Sequence, residues 1–254
     1  MTESLSSFTA ARTIGLSGRA PVLFLCEHAS NAFPDAYETG SVPATMRDSH
    51  VAWDPGALAL AERLAAGFAS PLVSGGVSRL LYDCNRPPDA VDAIPTRSEV
   101  FDIPFNTGLS DTERARRVGE IYQPFCETVE AALRHAQPQA LVTVHSFTRV
   151  YAGQPRDVEI GVLHDSDSRL ADALLAQLSG SPYIVRRNDP YGPEHGVTHS
   201  LRQYALPRGL PNVMLEIRND LLPDASAQDA MAADLTPALW AALGALGITC
   251  GGGQ

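Results

Sequence analysis

Residues 21–28 read Pro-Val-Leu-Phe-Leu-Cys-Glu-His. A short apolar run without polar alternation marks a strand covered on both faces, the habit of parallel sheets flanked by helices. The run of Pro21–Cys26 therefore predicts a buried strand, and it ends in two groups, Glu27 and His28, that a core tolerates only with partners. Ala140–Ser146 (ALVTVHS) repeats the design and ends in His145 and Ser146. Asn212–Ile217 (NVMLEI) carries Glu216 inside an apolar frame, with Arg218 just after it. Ligands of open α/β sheets bind at the carboxyl ends of the strands. These three ends are where chemistry is expected.

Outward from these strands, Pro55–Phe68 predicts a helix, with Asp54 as a candidate N-cap and Pro55 in the first turn. Pro71–Val73 reads as a weaker strand. Ser110–His135 is helical: Ser110 and Glu113 have capping-box spacing, and Pro124 should kink the helix. Val158–His164 and Tyr183–Arg187 predict strands around a helix at Ser168–Leu178, and Gln228–Leu246 predicts the last helix. The alternation predicts an α/β sandwich with a mixed, mostly parallel sheet, built as one domain over residues 1–254. Tyr82–Thr107, rich in Pro, Asp and Asn, is expected to be a long functional loop or lid. The tail Cys250–Gln254 reads as disordered.

The basic inventory is 19 residues against 29 acidic ones, and every basic residue is arginine. Without lysine there is no Schiff-base or phosphate-loop lysine chemistry. The net charge of −10 opposes a nucleic-acid surface. No apolar run approaches the ~18–20 residues of a membrane helix. The polar segment 1–19 lacks the order of a signal peptide. Cys26, Cys84, Cys126 and Cys250 form no CxxC pair and read as reduced thiols of a cytoplasmic protein. Base composition accounts for an arginine-only inventory; a few of these arginines acting as carboxylate clamps is the other reading.

Two histidines and one carboxylate with an open position form the pattern of a catalytic zinc site. His28, Asp54 and His145 suit the ligands, and Glu216 suits a general acid/base that does not bind the metal. Each has a structural alternative. Either histidine could be a hydrogen-bonded strand end, Asp54 could cap the helix, and Glu216 could pair with Arg218 on the same strand face. His50 is the substitute third ligand. A serine hydrolase lacks a GxSxG elbow around Ser30, Ser74 or Ser146, and Cys26 or Cys84 lacks a partner as nucleophile. Arg79, Asn85-Arg86, Arg149 and Arg218 fall beside these segments and suit a carboxylate-bearing amide. Arg97, Arg114, Arg116 and Arg117 read as surface ion pairs. His195 and His199 either line the site or stabilise a loop.

CEHASNAFP (Cys26–Pro34), DSHVAWDPGA (Asp48–Ala57), SRLLYDCNRPP (Ser78–Pro88), VTVHSFT (Val142–Thr148) and LPNVMLEIRNDLL (Leu210–Leu222) resemble the N-formylglutamate amidohydrolase family, in order and over nearly the whole chain. The resemblance implies a three-layer α/β/α sandwich, phosphorylase/hydrolase-like and zinc-peptidase-like. It implies Zn2+ or another divalent metal on His28, Asp54 and His145, with Glu216 as catalytic acid/base. The Asn85-Arg86 and Arg218 motifs match the family's recurrent polar positions, and together with Asn31, His50, Arg79, Arg149 and His195 they are the expected substrate contacts. The expected substrate is a small N-acyl amino acid such as N-formylglutamate, and no nucleic acid or membrane partner is expected. Better-studied members carry PHSG at the first site, where this chain has Glu27-His28-Ala29-Ser30-Asn31. They also run directly from a DxH element into the helix, whereas here Ala52-Trp53 intervenes before Asp54. The third ligand is therefore either Asp54 or His50.

Overall fold

The computed structural model describes residues 8–249. Its centre is a seven-stranded sheet: β1 (Ala11–Ile14), β2 (Val22–Cys26), β3 (Leu72–Gly75), β4 (Ala140–Phe147), β5 (Ile160–Leu163), β6 (Val185–Arg187) and β7 (Asn212–Arg218). The spatial order is β1-β3-β2-β4-β7-β5-β6. The four strands β3, β2, β4 and β7 run parallel. β5 and β6 are parallel to each other, but β5 meets β7 antiparallel, as β1 meets β3. Every residue of β2 and β4 is buried because helices cover both faces of the sheet, which is why those strands read as continuous apolar runs.

The α-helices longer than one turn are α1 (Ala57–Gly67), α2 (Asp111–Arg117), α3 (Gln123–Ala136), α4 (Arg169–Gln177) and α5 (Ala225–Ala245). One face of the sheet packs Val22, Phe24, Val142 and Leu215 against Leu60, Leu64, Leu174 and Leu239 of α1, α4 and α5. The other face packs Leu23, Leu25, Leu141 and Met214 against Phe125 and Val129 of α3, and against Leu201 and Tyr204. The result is a three-layer α/β/α sandwich. After β2 the chain passes through α1 to β3 on one side, then through α3 to β4 on the other side of β2. This reversal opens a crevice at the carboxyl ends of β2 and β4, the place where such sheets bind ligands.

Local signals are realised with small shifts. Ser110 Oγ accepts from Glu113 N at 3.2 Å and caps α2. A π-helical turn over Val118–Tyr122 takes the place of the kink expected at Pro124, which falls in the first turn of α3, where a proline is tolerated. α5 starts three residues earlier than the apolar pattern, at Ala225, because Asp224 caps it through Ala227 N at 2.9 Å. The polar N-terminal segment hides the edge strand β1, whose Ala11–Ile14 pairs with β3. Asp54 does not cap α1. The cap is Gly56 at φ +81°, a conformation that glycine adopts without strain. The helix therefore starts at Ala57, and Asp54 is free for another task. Cys26, Cys84 and Cys126 are free thiols, while Cys250 and the tail fall outside the described residues. No helix among the described residues is long and apolar enough to cross a membrane.

Candidate metal centre

His28 follows β2, His145 lies in β4, and Asp54 precedes α1. Asp54 N donates to His28 O at 2.9 Å, which ties two of these loops together. His28 Nδ1 and His145 Nδ1 lie 3.3 and 2.9 Å from Asp54 Oδ2. All three residues are buried, and one donor atom from each lies within 4.8 Å of the others, so the group could hold a metal ion. His50, the alternative third ligand, is not in this group. It sits at the cavity wall with Nε2 2.9 Å from Glu99 Oε2.

The far side of each imidazole faces a carboxylate. His28 Nε2 is 2.6 Å from Asp83 Oδ1. His145 Nε2 is 3.0 Å from Glu27 Oε2, close enough for an ion pair but not aligned as a hydrogen bond. These carboxylates favour a proton on Nε2 and leave an Nδ1 lone pair directed at Asp54. Two lone pairs and a carboxylate cannot converge without a positive charge between them. Four carboxyl groups (Glu27, Asp54, Asp83 and Glu216) are buried here, and Arg79 is at ion-pair distance from two of them, Asp54 and Asp83. The donor set thus fits a divalent cation. Without one, the imidazoles must take protons. Burial opposes protonation of His145, but Glu27 and Asp54 outweigh it and raise its pKa well above the ordinary value. For His28, burial and Arg79 lower the pKa, and Asp83 and Asp54 more than compensate.

Glu216 stands at the next strand, in register with His145 on β4 and with Gly161 on β5. It is buried, its Oε2 has no hydrogen-bond partner, and burial pushes its pKa up to about 7. The expected pairing with Arg218 does not form. Arg218, at the strand end, binds Glu159 at 3.1 Å and Asp220 at 2.7 Å instead. Gly161 makes room for Glu216: a Cβ there would lie 3.1 Å from Glu216 Cβ and 2.3 Å from Asp189 O. Gly161→Ala is expected to destabilise the fold by about 1–3 kcal/mol and to lower turnover by displacing Glu216. Thermal denaturation and steady-state kinetics check both effects.

A cavity of about 280 Å³ opens over these groups, and its lining includes His28, His50, Asp54, Arg79, Asn85, Arg86, His145 and Glu216. Asn31, Arg149, His195 and Arg218 lie outside that lining. Asn31 donates to Arg47 O, Arg149 is largely exposed beside Asp220, and His195 accepts from Gly192 N in a short turn. Arg79 holds Asp54 at 3.4 Å and Asp83 at 2.7 Å. Asn85 is engaged by the backbone, donating to Val197 O and accepting from Ser200 N. Arg86 binds Asp92 at 2.7 Å and the carbonyls of Asn85 and Gly196. The 82–107 segment is anchored by Asn106, which donates to Leu80 O and Pro95 O and accepts from Arg117. Arg117, read from the sequence as a surface group, is buried for this reason. Sequence reasoning missed Asp83 and Glu27 as partners of the histidines. Their signal was only adjacency: Glu27 precedes His28, and Asp83 sits between Arg79 and Asn85.

The sandwich brings a buried His-Asp-His group and a carboxyl oxygen without a hydrogen-bond partner to one crevice. The chain matches the N-formylglutamate amidohydrolase family model over residues 20–222 and belongs to that family. It is 48% identical to a gene product of Agrobacterium tumefaciens of known crystal structure, with 94% of this chain and 96% of that chain covered and a TM-score of 0.90. The N-formylglutamate amidohydrolase of Ralstonia eutropha JMP134 shares the fold at 19% identity, with 91% and 96% covered and a TM-score of 0.62. No curated protein matches the chain.

Proposed function

We propose that this protein is a metal-dependent amidohydrolase that removes a formyl-like N-acyl group from an acidic amino acid, turning N-formylglutamate into formate and glutamate. The observation that carries the reading is the convergence of His28 Nδ1, Asp54 and His145 Nδ1 beside a buried Glu216 with an unpartnered oxygen. Family membership supports the amide as the bond attacked. A divalent cation, zinc foremost, would be held by His28, Asp54 and His145, and supplies Lewis-acid activation of the scissile carbonyl and of water.

The chain's own groups account for the rest. Glu216 takes a proton from the attacking water and returns it to the leaving amine. Burial suits it to both roles, since a carboxyl group with a raised pKa is a better base and still protonates near neutrality. Arg79, clamped by Asp54 and Asp83 on the cavity wall, stabilises negative charge developing on the carbonyl oxygen. Asp83 and Glu27 hold the two imidazoles in the tautomer that donates through Nδ1. Asp83→Asn is therefore expected to weaken zinc affinity by about 10- to 100-fold, read by competition with a chromophoric chelator.

The direct test is turnover of N-formylglutamate by purified protein, with a muramoyl peptide as comparator and metal content measured on the same sample. Release of glutamate in step with bound zinc is expected. Less than about half an equivalent of metal, with no gain on adding divalent ions, would overturn the metal-dependent reading.

A further inference from the structure

We propose that Arg156 receives a carboxylate of the substrate and so sets the preference of this site for anionic N-acyl amino acids. The inference rests on the hydrolase reading above and names a residue outside the set expected from the sequence. The arginines around the cavity are otherwise engaged. Arg79 holds Asp54 and Asp83, Arg86 holds Asp92, and Arg97 faces Asp102 at 3.4 Å. Arg156 has no carboxylate at ion-pair distance among the described residues. Its neighbour Arg218 explains this, because it takes both Glu159 and Asp220 and donates to the Arg156 carbonyl at 3.5 Å.

The Arg156 guanidinium is instead held by aromatic rings. Its central carbon lies 4.6 Å from the ring centre of Tyr151, 4.8 Å from that of Tyr191 and 5.7 Å from that of Phe147. All three rings line the cavity. Nη1 donates to the Tyr191 hydroxyl at 2.9 Å. Rings shield the faces of a guanidinium and leave its N–H edge for an acceptor in its plane. A carboxylate is the acceptor that fits such an edge with two parallel hydrogen bonds. Arg156 itself lies outside the lining, against these three lining rings, as a half-buried cation without a protein carboxylate beside the cavity that an anion would enter.

The test compares wild type, Arg156→Met and Arg156→Lys on N-formylglutamate and on its two monoamides, with thermal denaturation as the folding control. Arg156→Met is expected to raise KM for N-formylglutamate by about 10- to 100-fold, with kcat changed less than about threefold. For the monoamide that lacks the bound carboxylate, wild type and variant should share one KM. Arg156→Lys should recover only part of the loss, because lysine keeps the charge but not the stacked fork. An unchanged preference for the dianion over both monoamides in Arg156→Met would overturn the assignment. Calorimetry with glutarate, which cannot turn over, separates this from the reaction itself. If no N-formyl amino acid is hydrolysed but glutarate binding weakens in Arg156→Met, the hydrolase reading fails and the Arg156 site stands. Equal glutarate binding by both proteins removes the site whatever the turnover.

Discussion

Replacing Glu216 by Gln is expected to lower kcat on N-formylglutamate by about 10²- to 10⁴-fold, the range carried by a positioned general acid/base. KM and metal content should stay close to wild type, since Glu216 is not one of the three converging donors. The fold should not suffer either. Glu216 is buried, Oε2 has no partner, and burial holds the acid in its neutral form up to about pH 7. The ionised carboxylate is thus a cost to the fold, and a neutral side chain of the same shape removes it. The melting temperature of Glu216→Gln should equal or exceed that of wild type. Steady-state kinetics, metal analysis and calorimetric melting read the three quantities on one preparation. A variant within about threefold of wild-type kcat would remove Glu216 from proton transfer.

The second large effect is expected at His145, where chemistry and stability fail together. His145→Ala deletes one of the three converging donors, so metal should be lost and activity should fall to background. It also strands Glu27, whose buried carboxylate has the Nε2 edge of His145, 3.0 Å away, as its close partner. Burial alone would raise the pKa of Glu27, and His145, together with Ser200 and His28, more than offsets it and holds it below the ordinary value. Breaking a buried pair from one side costs about 3–5 kcal/mol, because the remaining charge stays desolvated. His145→Ala should therefore melt well below wild type. In the double variant Glu27→Gln/His145→Ala the stranded charge is gone, so most of the stability should return while activity stays absent. Chemical denaturation of both variants checks this. A double variant no more stable than the single one would show that Glu27 and His145 are not coupled.

The same contacts show what could be read from the residues in order. Strands β2, β4 and β7 were legible because sheets covered on both faces demand uninterrupted apolar runs, and a Glu or His at the end of such a run stands out. β1 was not legible, because an edge strand buries little and leaves no apolar pattern. Asp54 was ambiguous for a local reason: Asp before Pro-Gly suits a helix cap as well as a site, and only the left-handed Gly56 turn moved the helix start past it. The pairing of Glu216 with Arg218 followed from the two-residue strand period, but that period ignores what neighbouring segments offer. Glu159, just before β5, and Asp220 were nearer the Arg218 guanidinium, and Glu216 was left alone.

The sequence by itself determined the layered α/β class, the family, and the chemical types delivered to one sheet edge: two histidines, an aspartate and a glutamate. These are carried by hydrophobic period and by which polar groups end buried runs, and both are local properties of the chain. The tertiary structure alone decided which atoms meet. It brought Asp54 rather than His50 to the two Nδ1 atoms, set Asp83 and Glu27 behind the imidazoles, and spent Arg218 on Glu159 and Asp220. It also left Arg156 without a carboxylate among three rings of the cavity wall. The reason is physical. An ion pair is chosen by distance in space, among groups separated by tens of residues, and the competition between carboxylates for each arginine is settled only when the sheet has fixed their positions.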